Sequence, residues 1–126
     1  MKNKCPSLRI SRTRSFEMFR TYTRLRLDPN DDGSYTSFGR AYEDPWIEVK
    51  RCIPASEIQP LLDRLITLRL PIVPEEIMGC DGDFTELKLG NSFTGVKLNW
   101  WSALPEGWEE LDEITQALID VSGTDI

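Results

Sequence analysis

Leu98-Asn99-Trp100-Trp101-Ser102-Ala103-Leu104-Pro105-Glu106-Gly107-Trp108 holds three of the chain's four tryptophans and decides how the C-terminal third is built. Phe93 to Trp101 reads as a strand. Pro105 then opens a helix in which Trp108, Leu111, Ile114, Leu118 and Val121 recur at helical spacing. Glu106, Glu109, Glu110, Asp112 and Glu113 crowd its start, where the positive end of a helix favours carboxylates. Successive side chains of a strand point to opposite faces. Trp100 and Trp101 therefore cannot share one core, and one indole needs other cover. The tight Leu104–Pro105 crossing brings Trp108 back beside the pair.

Upstream, the period changes along the chain. Ser7 to Thr13 alternates around Leu8 and Ile10 as a short strand. Met18 to Leu27 is a longer one with two readable faces. Phe19, Thr21, Thr23, Leu25 and Leu27 share one face; Met18, Arg20, Tyr22, Arg24 and Arg26 share the other. Asp28 to Gly33 is dense turn chemistry. Ser34 to Tyr42 returns as the partner strand, with Gly39 marking a bulge or a close backbone approach. Trp46 to Ile53 is a further strand. Ile58, Leu61, Leu62, Leu65, Ile66 and Leu68 then follow helical spacing, with Ser56 and Gln59 as a capping box and Pro60 at the edge of the first turn. The helix ends before Pro71, and Pro71 to Pro74 is an extended connector. Asp81-Gly82 leads into a strand over Asp83–Leu89, and Gly90-Asn91-Ser92 turns into the last one. This order predicts an α+β fold: an antiparallel sheet of five to six strands with two helices on one face, in a single domain over 1–126.

Composition narrows the function. The chain has 126 residues, 40% hydrophobic and 29% charged, an ordinary globular balance. It contains no histidine, which removes the commonest general base and metal ligand. Cys5, Cys52 and Cys80 form no C-x-x-C pair and read as reduced thiols or small core residues, with no zinc spacing. No apolar run approaches a membrane span, and the basic start has no signal-peptide core, so the expected location is the cytoplasm. Asp28, Asn30, Asp32 and Gly33 open like a calcium loop, but the twelfth position is Gly39 where a carboxylate is needed. A hairpin loop is the better reading. No catalytic residue, cofactor or metal site is expected.

The net charge of −6 hides a polarised chain. Residues 1–27 carry eight basic residues against Glu17 alone, so the other 99 hold seven bases and twenty acids. Two binding surfaces follow. An acidic one uses Asp28, Asp31 and Asp32 with Glu109, Glu110 and Glu113, and suits a basic protein partner such as a toxin or enzyme. The alternative face carries Arg20, Tyr22, Arg24 and Arg26 with Trp101, residue types that pair phosphates and stack bases. The expected function is a non-catalytic binding module, an immunity or inhibitor protein. A nucleic-acid-associated protein is the alternative, followed by a carboxylate- and metal-dependent enzyme.

The block Asp81-Gly82-Asp83-Phe84-Thr85-Glu86-Leu87-Lys88-Leu89-Gly90, then Val96, Trp100-Trp101 and Pro105-Glu106-Gly107-Trp108, resembles a C-terminal signature of small bacterial proteins. The resemblance covers about the last third and, more loosely, the helix ahead of it. It implies a bacterial origin and a strand-strand-helix ending, and it brings no catalytic residues to carry over.

Overall fold

Leu8 and Ile10 alternate with polar residues, and so do Leu25 and Leu27; strands with that pattern need a sheet covered on one side only. A computed structural model describes residues 6–16, 19–42, 46–71, 82–90, 93–101 and 104–123, with backbone alone at 14–16, 19–21, 42, 46, 47 and 82. Six strands are β1 (Ser7–Phe16), β2 (Phe19–Pro29), β3 (Tyr35–Tyr42), β4 (Trp46–Ile53), β5 (Gly82–Gly90) and β6 (Gly95–Trp101). They form one antiparallel sheet in the order β4-β3-β2-β1-β5-β6. Helices α1 (Ala55–Ile66) and α2 (Glu109–Ser122) share a core with one face of it. The expected α+β architecture is what the chain adopts. Neither helix is long and apolar enough to cross a membrane.

Register fixes the covered face. Leu8 pairs with Leu27 and Leu89, Ile10 with Leu25 and Leu87, and Arg12 with Thr23 and Thr85. Leu8, Ile10, Leu25, Leu27 and Leu87 are all buried. On β3 the same face carries Ser37, Gly39 and Ala41, small residues over which a helix can lie close. The β2–β3 ladder runs through Gly39 without interruption, pairing it with Leu25, so of the two readings of this glycine the bulge does not hold. The helix α2 crosses the sheet diagonally. Asp112 near its start meets Trp100 on β6, while Gly123 at its left-handed cap lies by Val49 and Arg51 on β4.

Both helix starts differ from the sequence reading. Pro54 occupies the N-cap of α1, its carbonyl accepting from Glu57 and Ile58, and no side chain caps the end. Ser56 therefore lies inside the helix. Gln59, free of a capping role, donates to the Gly33 carbonyl at 2.9 Å and ties α1 to the β2–β3 turn. Pro60 falls inside the helix rather than in its first turn, on an exposed side where water reaches the freed carbonyl. Before α2, Trp108 N–H bonds the Pro105 carbonyl at 3.1 Å, and Gly107 takes φ of +89°. That left-handed residue closes a turn, so the helix begins at Glu109 and Trp108 is its N-cap.

The tryptophan pair divides as strand geometry demands. Trp100 is buried, edge-on to Trp108 at 6.1 Å, and its Nε1 donates to Asp112 Oδ1 at 2.8 Å. Trp108 is also buried, but its Nε1 has no hydrogen-bond partner. Phenylalanine at position 100 forfeits a charge-assisted bond, whereas at 108 it removes an unsatisfied donor. Trp100→Phe is expected to cost about 1–2 kcal/mol more than Trp108→Phe in urea unfolding. Asp112 Oδ1 also accepts from Arg12 Nη2 at 3.0 Å. Arg12 is nearly buried and further donates to Thr85 Oγ1 at 2.9 Å and to Gln116 Oε1. Arg12 on β1 thus fastens α2 to β5, and Asp112, through Trp100, fastens it to β6.

Candidate functional site

Strand parity that buries Leu8, Ile10, Leu25 and Leu87 sends their neighbours to the opposite face. Both helices occupy the covered side, and no described side chain on the other face is buried. Trp101 emerges there, against Phe84 on β5 with ring centroids 5.1 Å apart. Phe84 is apolar like Leu87 and Leu89 on the same strand. Parity places it on the other side, and it supplies part of the cover that Trp101 needed.

The register aligns charge across all six strands of this open face. Lys50, Phe38, Arg26, Arg9, Lys88 and Lys97 stand in one row from β4 to β6. At a strand spacing of about 4.8 Å the row is about 24 Å long. The next row reads Glu48, Arg40, Arg24, Ser11, Glu86 and Asn99. A third brings Tyr22, Thr13, Phe84 and Trp101 together as an aromatic rim. Tyr42 and Trp46, of which the backbone alone is described, continue that register position. A shallow depression of about 450 Å³ lies over β1, β2 and β3, lined by Arg9, Arg24, Arg26, Arg40, Tyr22 and Phe38 among others.

Several of these cations have partners. Arg26 pairs with Asp28 at 3.0 Å, Arg40 with Glu48 at 3.2 Å, and Lys88 and Lys97 both with Glu86 at 3.5 and 3.2 Å. These pairs are largely solvent-exposed and weak. Arg26 and Lys50 lie over the Phe38 ring at 4.4 and 5.3 Å, and Arg24 over Tyr22 at 5.5 Å. Among the described residues Arg9, Arg24 and Lys50 have no acidic partner. Counting described side chains, seven cations face Asp28, Glu48 and Glu86, a net of +4 on a chain of −6.

Of the expected basic face, Tyr22, Arg24, Arg26 and Trp101 do share one surface; the side chain of Arg20 lies outside the described residues. Arg9, Lys50, Lys88 and Lys97 escaped the sequence reading. Their one sequence signal is alternation with core residues, as in Leu87-Lys88-Leu89, and that says nothing of which strand lies beside which.

The acidic set is not brought together. Asp28, Asp31 and Asp32 lie at the turn held by Gln59 in the first half of α1, while Glu110 and Glu113 reach Arg64 in its last turn, at 3.5 and 3.7 Å. Glu109 Oε2 accepts from Gly107 N–H at 3.1 Å. In the turn, Asn30 Nδ2 donates to Ser34 and Thr36, and Asp32 accepts from the Ser34 backbone N–H at 2.9 Å and hydroxyl at 2.5 Å. It is a hairpin loop, and among the described residues no three His, Cys, Asp or Glu groups gather as a metal site. The Ser34 hydrogen bonds hold the Asp32 carboxyl below its ordinary range. Folding lowers this pKa, so the carboxylate favours the folded state above about pH 4 and loses that contribution as pH falls through its folded value. Asp32→Asn is expected to flatten the acid side of a urea-midpoint profile below that pH.

Asp81, Cys5, Cys80, Asn91, Ser92 and the 72–74 part of the proline connector lie outside the described residues. Cys52 is an exposed free thiol on β4. No protein-family model matches this chain, and a search of the curated proteins finds no relative.

Proposed function

We propose that this chain is a non-catalytic binding protein whose working surface is the open face of its sheet and whose ligand is a polyanion. One observation carries the reading. Arg9 stands directly opposite Arg26 on one side and Lys88 on the other. Like charges opposite each other on neighbouring strands destabilise a sheet. With Lys97 opposite Lys88, four cations stand in line, a local conflict of the kind that belongs to functional sites. An anion laid across the row resolves it. The absence of histidine from the sequence and the scattering of the described carboxylates support binding rather than catalysis.

Retention on immobilised heparin tests the reading. The chain is acidic overall, so a basic bulk charge cannot explain retention. It is expected to bind at low ionic strength and elute early in a salt gradient. Arg24→Glu should abolish retention, while Glu110→Lys on α2 should leave it in place. Passage of the parent chain through the column at low salt would refute the proposal.

The helical layer motivates a second reading. Its exposed surface is acidic, with Glu57, Asp63, Glu109, Glu110, Glu113 and Asp120. A protein that neutralises a basic partner, in the manner of an immunity protein or inhibitor, would use this side, with Asp31 and Asp32 at its margin. That reading requires a basic enzyme whose capture is lost when Glu109, Glu110 and Glu113 are reversed to lysine.

A further inference from the structure

We infer that the polyanion is single-stranded nucleic acid, an inference that rests on the sheet-face reading above and adds to it the identity of the ligand. Charge complementarity gives the sign of the ligand; three further features give its class. The first is the chemistry of the cations. The central strands present Arg9, Arg24 and Arg26, not lysines, and a guanidinium fork matches a phosphate with two parallel hydrogen bonds. Arg9 makes no ion pair, hydrogen bond or ring contact among the described residues, so its fork is uncommitted.

The second is the interleaving of rings with charge. Phe38 sits within the cationic row with Arg26 over its ring at 4.4 Å. That stacked guanidinium is a plane on which a base can lie in turn. The rim of Tyr22, Phe84 and Trp101 runs parallel to the cationic row, four residues along the strands and so about 13 Å away. Arg24, lying over Tyr22, bridges the interval. A nucleic acid strand engages both, phosphates on the row and bases stacked on the rim, whereas a sulfated sugar or an acidic side chain has no flat base to stack there.

The third is shape. A B-form major groove is about 12 Å wide and admits a helix or a two-stranded ribbon. The six-stranded face is about twice that width and cannot enter it. Bases must come to the rings, so they must already be unpaired.

Fluorescence anisotropy decides the matter. The probes are a labelled twelve-nucleotide oligo-dT, a twelve-base-pair duplex and a labelled heparin oligosaccharide. In 50 mM salt the single strand is expected to bind at least about tenfold more tightly than the duplex. Its log–log salt slope is expected near −2 to −3, for three to four phosphates engaged at about 0.7 each. Trp101→Ala should weaken the single strand by about tenfold and leave heparin retention unchanged. Arg9→Gln, at an exposed side chain that holds nothing in place, should reduce the slope by about 0.7. Equal affinity for duplex and single strand, or indifference to Trp101→Ala in a folded variant, overturns the inference. So does heparin binding without oligonucleotide binding, which leaves the polyanion reading standing with another partner class such as an acidic protein. Failure of all three probes removes both.

Discussion

Asp112→Ala is expected to lower the unfolding free energy by about 3–4 kcal/mol, and the melting temperature by about 10–15 °C for a domain of this size. The magnitude follows from what is left behind. Arg12 has a side chain only 7% exposed and cannot move its charge into water without breaking its bond to Thr85. Without Asp112 that charge keeps only neutral partners, Thr85 and Gln116, and Trp100 loses the acceptor for its indole N–H. Breaking a buried pair costs more than the pair contributes, because one desolvated charge remains. Arg12→Ala should cost less, about 2–3 kcal/mol, since Asp112 is 37% exposed and water can take over part of its hydrogen bonding. Arg12→Met with Asp112→Leu, removing both charges and keeping their volume, should recover most of the loss. Urea denaturation of the three variants measures all of this. A loss under about 1 kcal/mol for Asp112→Ala would mean that the network does not fasten α2 to the sheet.

Arg9→Glu is expected to act in opposite directions on stability and on binding. A glutamate at that point lies between Arg26 and Lys88 and turns two repulsive cross-strand pairs into attractive ones. The gain is about 0.5–1 kcal/mol, or a melting temperature higher by about 2–4 °C. Combined with Arg24→Glu, the same reversal should weaken polyanion binding by about two orders of magnitude at 50 mM salt. A residue kept for structure would lose stability on replacement. A residue kept for a ligand leaves a more stable and less active protein, which is the pattern expected here.

The fold was largely legible because its strands alternate cleanly. Leu8 with Ile10, and Thr23 with Leu25 and Leu27, announce their inward face without help from the rest of the chain. The turn at Asp28–Gly33 and the stripe from Trp108 to Val121 are equally local. Arg12 was not legible as a core residue. It shares the parity of Leu8 and Ile10, but a charged side chain breaks the apolar alternation, and its partners Asp112 and Gln116 lie a hundred or more residues away. The helix starts were misread because two signals competed. Ser56 and Gln59 have capping-box spacing, yet Gln59 is used by Gly33, and Gly107 in a left-handed conformation forbids the helix that Pro105 would open.

The candidate site was half legible for a related reason. Tyr22, Arg24 and Arg26 sit on one strand, where parity alone sets their common face. The cationic row needs six strands in a particular order and register, with β1 between β2 and β5. No local pattern encodes that. Pairings between strands far apart in sequence follow from hydrophobic burial of the whole sheet, which leaves Lys50, Arg9, Lys88 and Lys97 in line as its consequence.

The most direct test of the sheet face is a map of backbone amide chemical shifts during titration with a heparin hexasaccharide. The shifts are expected to concentrate on Arg9, Ser11, Arg24, Arg26, Phe38 and Lys88 and to leave Glu109–Ser122 unmoved. Shifts confined to α2 and the Asp28–Asp32 turn, or no shifts at low salt, would contradict the assignment of the open sheet face as the binding surface.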